Sequence, residues 1–333
     1  MLAKALSEAS APDLSVVILN WNARPYLVAC LHSIEGQKWL HKIEIIVVDN
    51  ASVLDDSVEV VKRDFPSVKL IENTHNLGFA AGNNVGWKAA RGEFVLFLNP
   101  DTVVEKGALD TLLDWMESHP EVGAIGPRMT YPDGQLQHSS RAFPSFGAGL
   151  FRNSFLGRLW PQNPWSRGYL MSDADKTTPR AVDWLSGSAL LGRRAALESI
   201  ATPNGPWDED FFMYCEDIDL CYRLMLQNWP RFYVPGATIQ HHIGKSSDLA
   251  QGTSIRRHHS AMWLFYRKHY AKGLGVLLAP FAAAGIAARA SLAVLKLYRN
   301  YARSGSFRVM VRRTVRSQSR VWKERIRAKT KKA

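Results

Sequence analysis

Cysteine is scarce in this chain. Cys30, Cys215 and Cys221 are the only three in 333 residues, and their spacing forms no disulfide framework, which points to a reducing compartment. Residues 1–13 contain no apolar core of the kind a secretory signal needs. No Gly-x-Gly-x-x-Gly is present, and no Walker-type Gly-x-x-x-x-Gly-Lys-Ser/Thr loop, since Gly244-Lys245-Ser246 has Ile239 where the first Gly would stand; this argues against dinucleotide binding and ATP hydrolysis. No repeat recurs at a period of 20–50 residues. Acid is almost missing from one end: residues 303–333 hold twelve Lys/Arg and one acid, Glu324. That tail accounts for +11 of the net charge of +12, which leaves +1 for residues 1–302. The basicity therefore belongs to a tail, and the globular part gives no reason to expect a nucleic-acid partner.

What is present is an alternation of short aliphatic runs with helical patterns. Strands are expected at residues 14–19, 43–48, 68–72, 94–98 and 122–125. Helices are expected at 25–35, 55–64, 77–91 and 104–118. This order argues for βαβ units and a mixed, mainly parallel sheet flanked by helices, an α/β fold. Residues 130–180 are rich in Pro, Gly, Ser and aromatics and read as irregular. Further on, a strand at 182–191, helices at 193–200 and 216–227, a short strand at 231–234 and a helix at 255–270 are expected.

The chemistry sits where the apolar runs stop. Phe94-Val95-Leu96-Phe97-Leu98 ends at Asn99-Pro100-Asp101. Ligands of open α/β sheets bind outside the carboxyl ends of the strands. A carboxylate there can hold a divalent cation between itself and two phosphates. The first strand ends at Asn20-Trp21-Asn22 and the second at Asp49-Asn50. Asn20 and Asp49 suit either of two tasks, capping the next helix or hydrogen-bonding a pyrimidine edge. With Asp101 third in line, a nucleotide site is favoured. Gly78, Gly82 and Gly86 fall on one helix face, which implies a close neighbour, either the sheet or a ligand.

Six acids occur among residues 208–219. Asp219 and Arg223 fit an i, i+4 ion pair, so Glu216 and Asp217 remain as candidates for a general base at the mouth of the site. His241-His242-Ile243-Gly244-Lys245-Ser246 follows a strand. An imidazole there can complete a metal shell, and Lys245 can meet a phosphate.

Taken in order, SVVILNWN, IIVVDNAS, NLGFAAGNN, FVLFLNPD, VDWLSGSALLGRRAAL, FFMYCEDIDLCYR and HHIGKS resemble family 2 glycosyltransferases of the GT-A fold, most closely the bacterial rhamnosyltransferase branch. The resemblance spans about residues 13–270. It implies that Asn20, Asn22, Asp49, Asn50, Gly78 and Asn99 bind the nucleotide. It also implies that Asp101 and His241 hold a divalent cation (Mg²⁺ or Mn²⁺), with Asn99 replacing the first Asp of a DxD-like motif. Trp184, Gly187 and Ser188 would floor the donor and acceptor sugars. Asp217 would be the catalytic base, oriented by Glu216. The implied activity is inverting transfer of a sugar, foremost L-rhamnose from dTDP-rhamnose, to a polyprenyl-diphosphate-linked glycan in envelope polysaccharide synthesis. UDP- or dTDP-linked galactose or glucose are the alternatives. A silent carbohydrate-binding scaffold is the rival of another class. A sugar-phosphate nucleotidyltransferase is disfavoured, because residues 18–26 contain no Gly, no Lys and one Arg.

The domain reading is a flexible N-terminus at 1–12, a catalytic domain at 13–272, an apolar membrane-associated helical segment at 273–302 and the basic tail at 303–333. The 22 residues from 274 to 295 would form about 33 Å of helix, long enough to cross a bilayer. Pro280 and Arg289 interrupt the run, and the tail is basic. A helix pair lying in or dipping into the inner leaflet is therefore expected, on the cytoplasmic face of the inner membrane. The tail would bind anionic headgroups at about 1 kcal/mol per residue.

Overall fold

The computed structural model describes residues 11–152, 155–172, 174–242 and 251–303. Two compact units divide between Ser246 and Ser247; the sequence reading put the boundary at 272/273. Residues 1–10, the Gly244–Ser246 part of the histidine motif with Lys245, and the tail beyond Arg303 lie outside the described residues.

The first unit is built around one sheet of order β3-β2-β1-β4-β11-β6-β12-β5. Strands β1 (Leu14–Asn20), β2 (Ile43–Asp49), β3 (Lys69–Glu72) and β4 (Phe94–Leu98) run parallel. They are joined by helices α1 (Arg24–Glu35), α2 (Ser57–Asp64) and α3 (Phe79–Ala89). Strand side chains alternate faces. Val16 and Ile18 enter one apolar layer and Val17 the other, so the sheet is covered on both sides. Because β1 and β4 are buried along their length, they read as continuous aliphatic runs.

The glycine stripe resolves in two ways. A Cβ on Gly82 would stand 2.5 Å from Leu19 Cδ1, and one on Gly86 would collide with Val17. Both glycines therefore let α3 lie directly on β1. Gly78 precedes the helix at φ +88°, a conformation glycine tolerates.

Several expectations needed correction. The helix expected at 104–118 is α4 (Ala108–Ser118), and its expected first residue, Val104, instead ends a strand, β5 (Thr102–Val104). Thr-Val-Val is β-branched and stays extended, and Gly107 at φ +73° starts the helix later. β6 runs over Ala124–Thr130, beyond the expected 122–125. Residues 130–180 are not irregular. They form β7 (Leu136–Gln137), β8 (Ser140–Arg141), α5 (Phe146–Phe151), α6 (Phe155–Leu159), α7 (Pro164–Leu170) and β9, which starts at Arg180 and ends at Ala181. Two caps could have revealed the helices: Ser145 Oγ accepts from Ala148 N–H, and Asn163 Oδ1 accepts from Ser166 N–H ahead of Pro164.

The expected strand at 182–191 is two strands, β10 (Trp184–Leu185) and β11 (Ala189–Arg193). β10 pairs with β8, while β11 runs antiparallel between β4 and β6. The Ser186-Gly187-Ser188 break between them reaches the site. Helices α8 (Arg194–Ser199) and α9 (Glu216–Leu226) follow. The short strand expected at 231–234 is β12 (Arg231–His241), which continues past a register shift between Val234 and Thr238.

In the second unit, α10 (Gln251–Phe265) passes through a π-turn (Tyr266–Tyr270) to α11 (Gly275–Arg303). The expected helix pair is a single helix. Pro280 lies in its second turn, where losing one hydrogen bond does not stop propagation. Gly275–Asn300 is long and apolar enough to cross a membrane, and none of it is buried in protein.

Candidate active site

Three strand ends form the floor of the site. Asn20 and Asp49 are register partners in the β1–β2 pair. Asn20 Nδ2 donates to Asp49 Oδ1 at 2.9 Å. Ser52 locks the carboxylate: its N–H donates to Oδ2 at 2.8 Å and its hydroxyl to Oδ1 at 2.6 Å. Asn22 Oδ1 accepts from the N–H groups of Val53 and Leu54, so this side chain ties the two strand-end turns together. Asn20 Oδ1 and Asn22 Nδ2 are buried without a partner, which leaves hydrogen-bonding capacity at this end. Asn50 is buried and holds the 73–78 turn, donating to Asn76 Oδ1 and Gly78 O and accepting from Leu77 N–H. That turn presents Gly78 at the start of α3.

The third strand end is Asn99-Pro100-Asp101. The carbonyl of Asp101 accepts from His242 N–H at 2.8 Å. His241 is the antiparallel register partner of Thr102. Two segments 140 positions apart in sequence are thereby brought side by side, and His241 Nε2 stands 3.2 Å from Asp101 Oδ1. Both side chains are buried. Asn99 Nδ2 lies 3.4 Å from the same imidazole nitrogen.

Gln137 Oε1 lies 2.7 Å from His241 Nδ1. With that oxygen accepting, Nδ1 carries the hydrogen and Nε2 turns a bare lone pair toward the Asp101 carboxylate (a tautomer assigned from the hydrogen-bond network). Two acceptors at 3.2 Å repel unless a proton or a metal cation lies between them. Adjacent ligands on an octahedral Mg²⁺ with bonds of about 2.1 Å stand about 3 Å apart. The donor set therefore fits a divalent cation. A second group, His41, Asp114 and Glu117, brings its ligand atoms within 4.8 Å of one another. Its acids are exposed on α4, and His41 pairs with Asp114 at 3.0 Å.

The opposite wall comes from α9 and the β10–β11 break. Asp217 Oδ2 accepts from Gly187 N–H at 3.1 Å, and its Oδ1 from Ile218 N–H at 2.8 Å. The next residue, Ser188, gives its carbonyl to Asn99 N–H at 2.9 Å. A continuous chain of contacts thus runs from Asp217 through Gly187, Ser188 and Asn99 to His241 and Asp101. The helix start that carries Asp217 is strained: Tyr214 and Cys215 lie at φ 76° and 63°, a cost of about 1–3 kcal/mol each. Neighbours hold it in place. Phe79 N–H donates to Phe212 O at 2.7 Å, and Asn84 Nδ2 donates to Trp207 O and Glu209 Oε1. Asp219 pairs with Arg223 at 2.7 Å and is fully buried, as the spacing anticipated.

Burial and the neighbouring Asp217 carboxylate push Glu216 well above the usual carboxylate range. Glu216 Oε2 is buried without a partner. Burial also raises Asp217, opposed by the N–H groups of Gly187 and Ile218 and by the Arg141 charge. Within this pair the N–H donors favour the charge on Asp217, and Glu216, without such donors on Oε2, is the partner pushed further toward its neutral form. A raised but ionised carboxylate is what a general base requires.

Trp184 is buried on β10 beneath the Arg141 guanidinium, 5.4 Å from the ring centre, and its Nε1 has no partner. Sequence reasoning missed Gln137, Ser52 and Arg141. Gln137 and Arg141 lie in the stretch read as irregular, and their roles depend on partners 43 to 104 positions away (Trp184 and His241). The Asn-Ala-Ser run after the second strand was a local signal for Ser52.

The model of the family described as Glycosyl transferase family 2 matches residues 15–200. The N-acetylglucosaminyl-diphospho-decaprenol L-rhamnosyltransferase of Mycobacterium tuberculosis is 32% identical over 263 residues, covering 76% of this chain and 83% of that protein. The rhamnosyltransferase WbbL of Escherichia coli is 31% identical over 168 residues, 47% of this chain and 58% of that one. Among solved structures, the mannosyltransferase PcManGT of Pyrobaculum calidifontis, in complex with GDP-Man and Mn²⁺, superposes with a TM-score of 0.53 at 18% identity. That match covers 92% of this chain and 84% of that chain. Residues 1–349 of Staphylococcus aureus TarS superpose with a TM-score of 0.51 at 16% identity, covering 82% and 70%. At these identities the structural likeness speaks for the fold alone, a GT-A architecture.

Proposed function

The chain belongs to glycosyl transferase family 2 and is a glycosyltransferase, and from that premise we propose that it transfers L-rhamnose from dTDP-rhamnose, with inversion, to a polyprenyl-diphosphate-linked glycan at the cytoplasmic face of the inner membrane. The observation that carries the mechanism is the contact chain linking Asp217 to the Asp101–His241 pair. The donor sugar and the lipid acceptor are supported by the 32% identical mycobacterial relative.

In this reading Asn20 and Asp49 hold the pyrimidine, with Asn22, Asn50 and Gly78 shaping the turns around it. Asp101 and His241, with Asn99 beside them, would hold a Mg²⁺ or Mn²⁺ ion, which supplies charge neutralisation of the departing diphosphate. Trp184, Gly187 and Ser188 floor the sugar and acceptor. Asp217 takes the proton from the acceptor hydroxyl. That oxygen bonds to the anomeric carbon from the face opposite the nucleotide, and the electrons of the broken C–O bond leave with the diphosphate. Glu216, held protonated, keeps a second negative charge away from the base. A single carboxylate base distinguishes this layout from the paired carboxylates of hydrolases.

The test is a panel of nucleotide-sugars scored by thermal stabilisation with and without Mn²⁺, followed by transfer to a lipid-linked acceptor. Stabilisation by dTDP-rhamnose that needs the cation is expected. Stabilisation by UDP-galactose or UDP-glucose instead would replace the donor. No cation-dependent nucleotide binding at all would return the chain to a carbohydrate-binding scaffold.

A further inference from the structure

The catalytic unit carries an exposed apolar surface that the transfer reaction does not use. Twelve large hydrophobic side chains are exposed among the described residues of this unit, and seven of them fall within residues 146–165. Phe155 (71%), Leu159 (66%), Phe146 (55%), Trp160 (48%) and Leu150 (46%) are the most open, with Trp165 next (44%). They lie on the three short helices α5, α6 and α7, except Trp160, which directly follows α6.

The aromatics among them are preassembled. Phe151 stacks on Trp165 at 5.0 Å, and Trp160 stands edge-on to both at 5.7 and 5.9 Å. The cluster is tied to the active site. Ala142 N–H donates to Tyr169 O at 3.0 Å, and Phe143 N–H donates to Asp183 Oδ2 at 2.7 Å, next to Trp184. Arg152 and Arg141 both cover the Tyr169 ring.

Charge selects the occupant. Residues 134–172 contain four Arg and no Asp or Glu. Arg158 and Arg167 lie on the same helices as the exposed aromatics, and Arg152 caps the end of α5. Rigid Trp and Phe beside Arg, without acids, match the boundary between headgroups and acyl chains. A second copy of this patch would set like charges against each other across a two-fold axis, which disfavours self-association.

We propose that the α5–α7 surface docks the catalytic unit onto an anionic phospholipid bilayer, separately from α11, and so sets the Trp184–Asp217 wall at the level of a lipid-borne diphosphate. The purpose of this contact rests on the proposed lipid-linked acceptor. Its test uses no transfer, so the two readings fail separately.

Because α11 can hold the chain to a membrane unaided, the measurement must be local. Full-length protein carrying Leu159→Cys, labelled with a polarity-sensitive fluorophore, is titrated with phosphatidylglycerol/phosphatidylcholine vesicles. The native cysteines are buried and leave the label to residue 159. Glu59→Cys, on the acid-bearing α2 surface, is the control. A blue shift at 159 but not at 59 is expected. Adding Arg158→Glu and Arg167→Glu should raise the lipid concentration for half-maximal shift about tenfold. Equal responses at the two positions, indifference to phosphatidylglycerol, or a shift at 159 that grows with protein concentration in the absence of vesicles would each overturn the proposal.

Discussion

The proposed donor end (Asn20, Asp49) and the proposed acceptor end (Trp184, Gly187, Asp217) of the site are built on different terms. The donor end stands on β1, buried along its length, and on the buried Ile46–Asp49 end of β2, and its carboxylate Asp49 is clamped by Ser52 and Asn20. The acceptor end is assembled from two-residue strands, a break at Gly187 and a helix start with two residues at positive φ. Open valences occur at both: Asn20 Oδ1 and Asn22 Nδ2 at the first end, and Trp184 Nε1, Glu216 Oε2 and Arg141 Nε at the second, are buried without partners. Buried polar groups are normally satisfied. Leaving them unsatisfied fits the proposal that ligand groups complete the bonding at both ends.

The largest expected effect separates the two ends. Asp217→Asn should lower turnover by about 10³-fold, within the range for losing a general base, while leaving donor affinity within about twofold. Single-turnover transfer and donor titration measure the two quantities. Equal losses in both would mean that the ends are not independent. Next, Asp101→Asn should remove cation-dependent donor stabilisation and cost on the order of 10² in turnover. If Asp101→Asn kept the full cation response in a melting assay, the ion would have to lie elsewhere.

A smaller effect is expected at Gln137→Leu. Freeing the His241 tautomer should raise the Mn²⁺ concentration for half-activity by about 10- to 100-fold, as for other partners of ligating histidines. Donor affinity at saturating cation should be unchanged.

Glu216→Gln probes the acceptor wall by pH. Because folding raises this carboxyl's pKa, the native state favours the proton. The acid's contribution to stability is therefore present at low pH and lost as pH rises through the folded value. The variant should melt higher than the parent at pH 7.5 and equally at pH 4. The smallest effect is expected at Gly86→Ala. It should lower stability by about 1–3 kcal/mol through overlap with Val17, with no change in cation or donor response.

The same division explains what could be read from the sequence. A strand buried on both faces appears as an aliphatic run, and its end is marked by the first polar residue. Asn20, Asp49 and Asp101 were legible for that reason. Residues 182–191 looked like one such run, because Trp-Leu and Ala-Leu-Leu are apolar on both sides of Gly187. Only pairing with two different partners splits them. The strand Thr102–Val104 went unread, and Val104 was taken into the next helix, because three residues carry no period. The short helices of residues 146–170 were missed although Ser145 and Asn163 are ordinary caps.

The sequence by itself determined the element types along most of the first unit and which polar residues stand where strands stop. These are local properties of burial and periodicity. The tertiary structure alone decided which of those residues meet. His241 faces Asp101 because β12 runs on past its bulge to pair with β5, and Asp217 reaches Gly187 because β11 enters the sheet against the direction of β4. Contacts between segments a hundred residues apart follow from strand order, and no local pattern encodes that order.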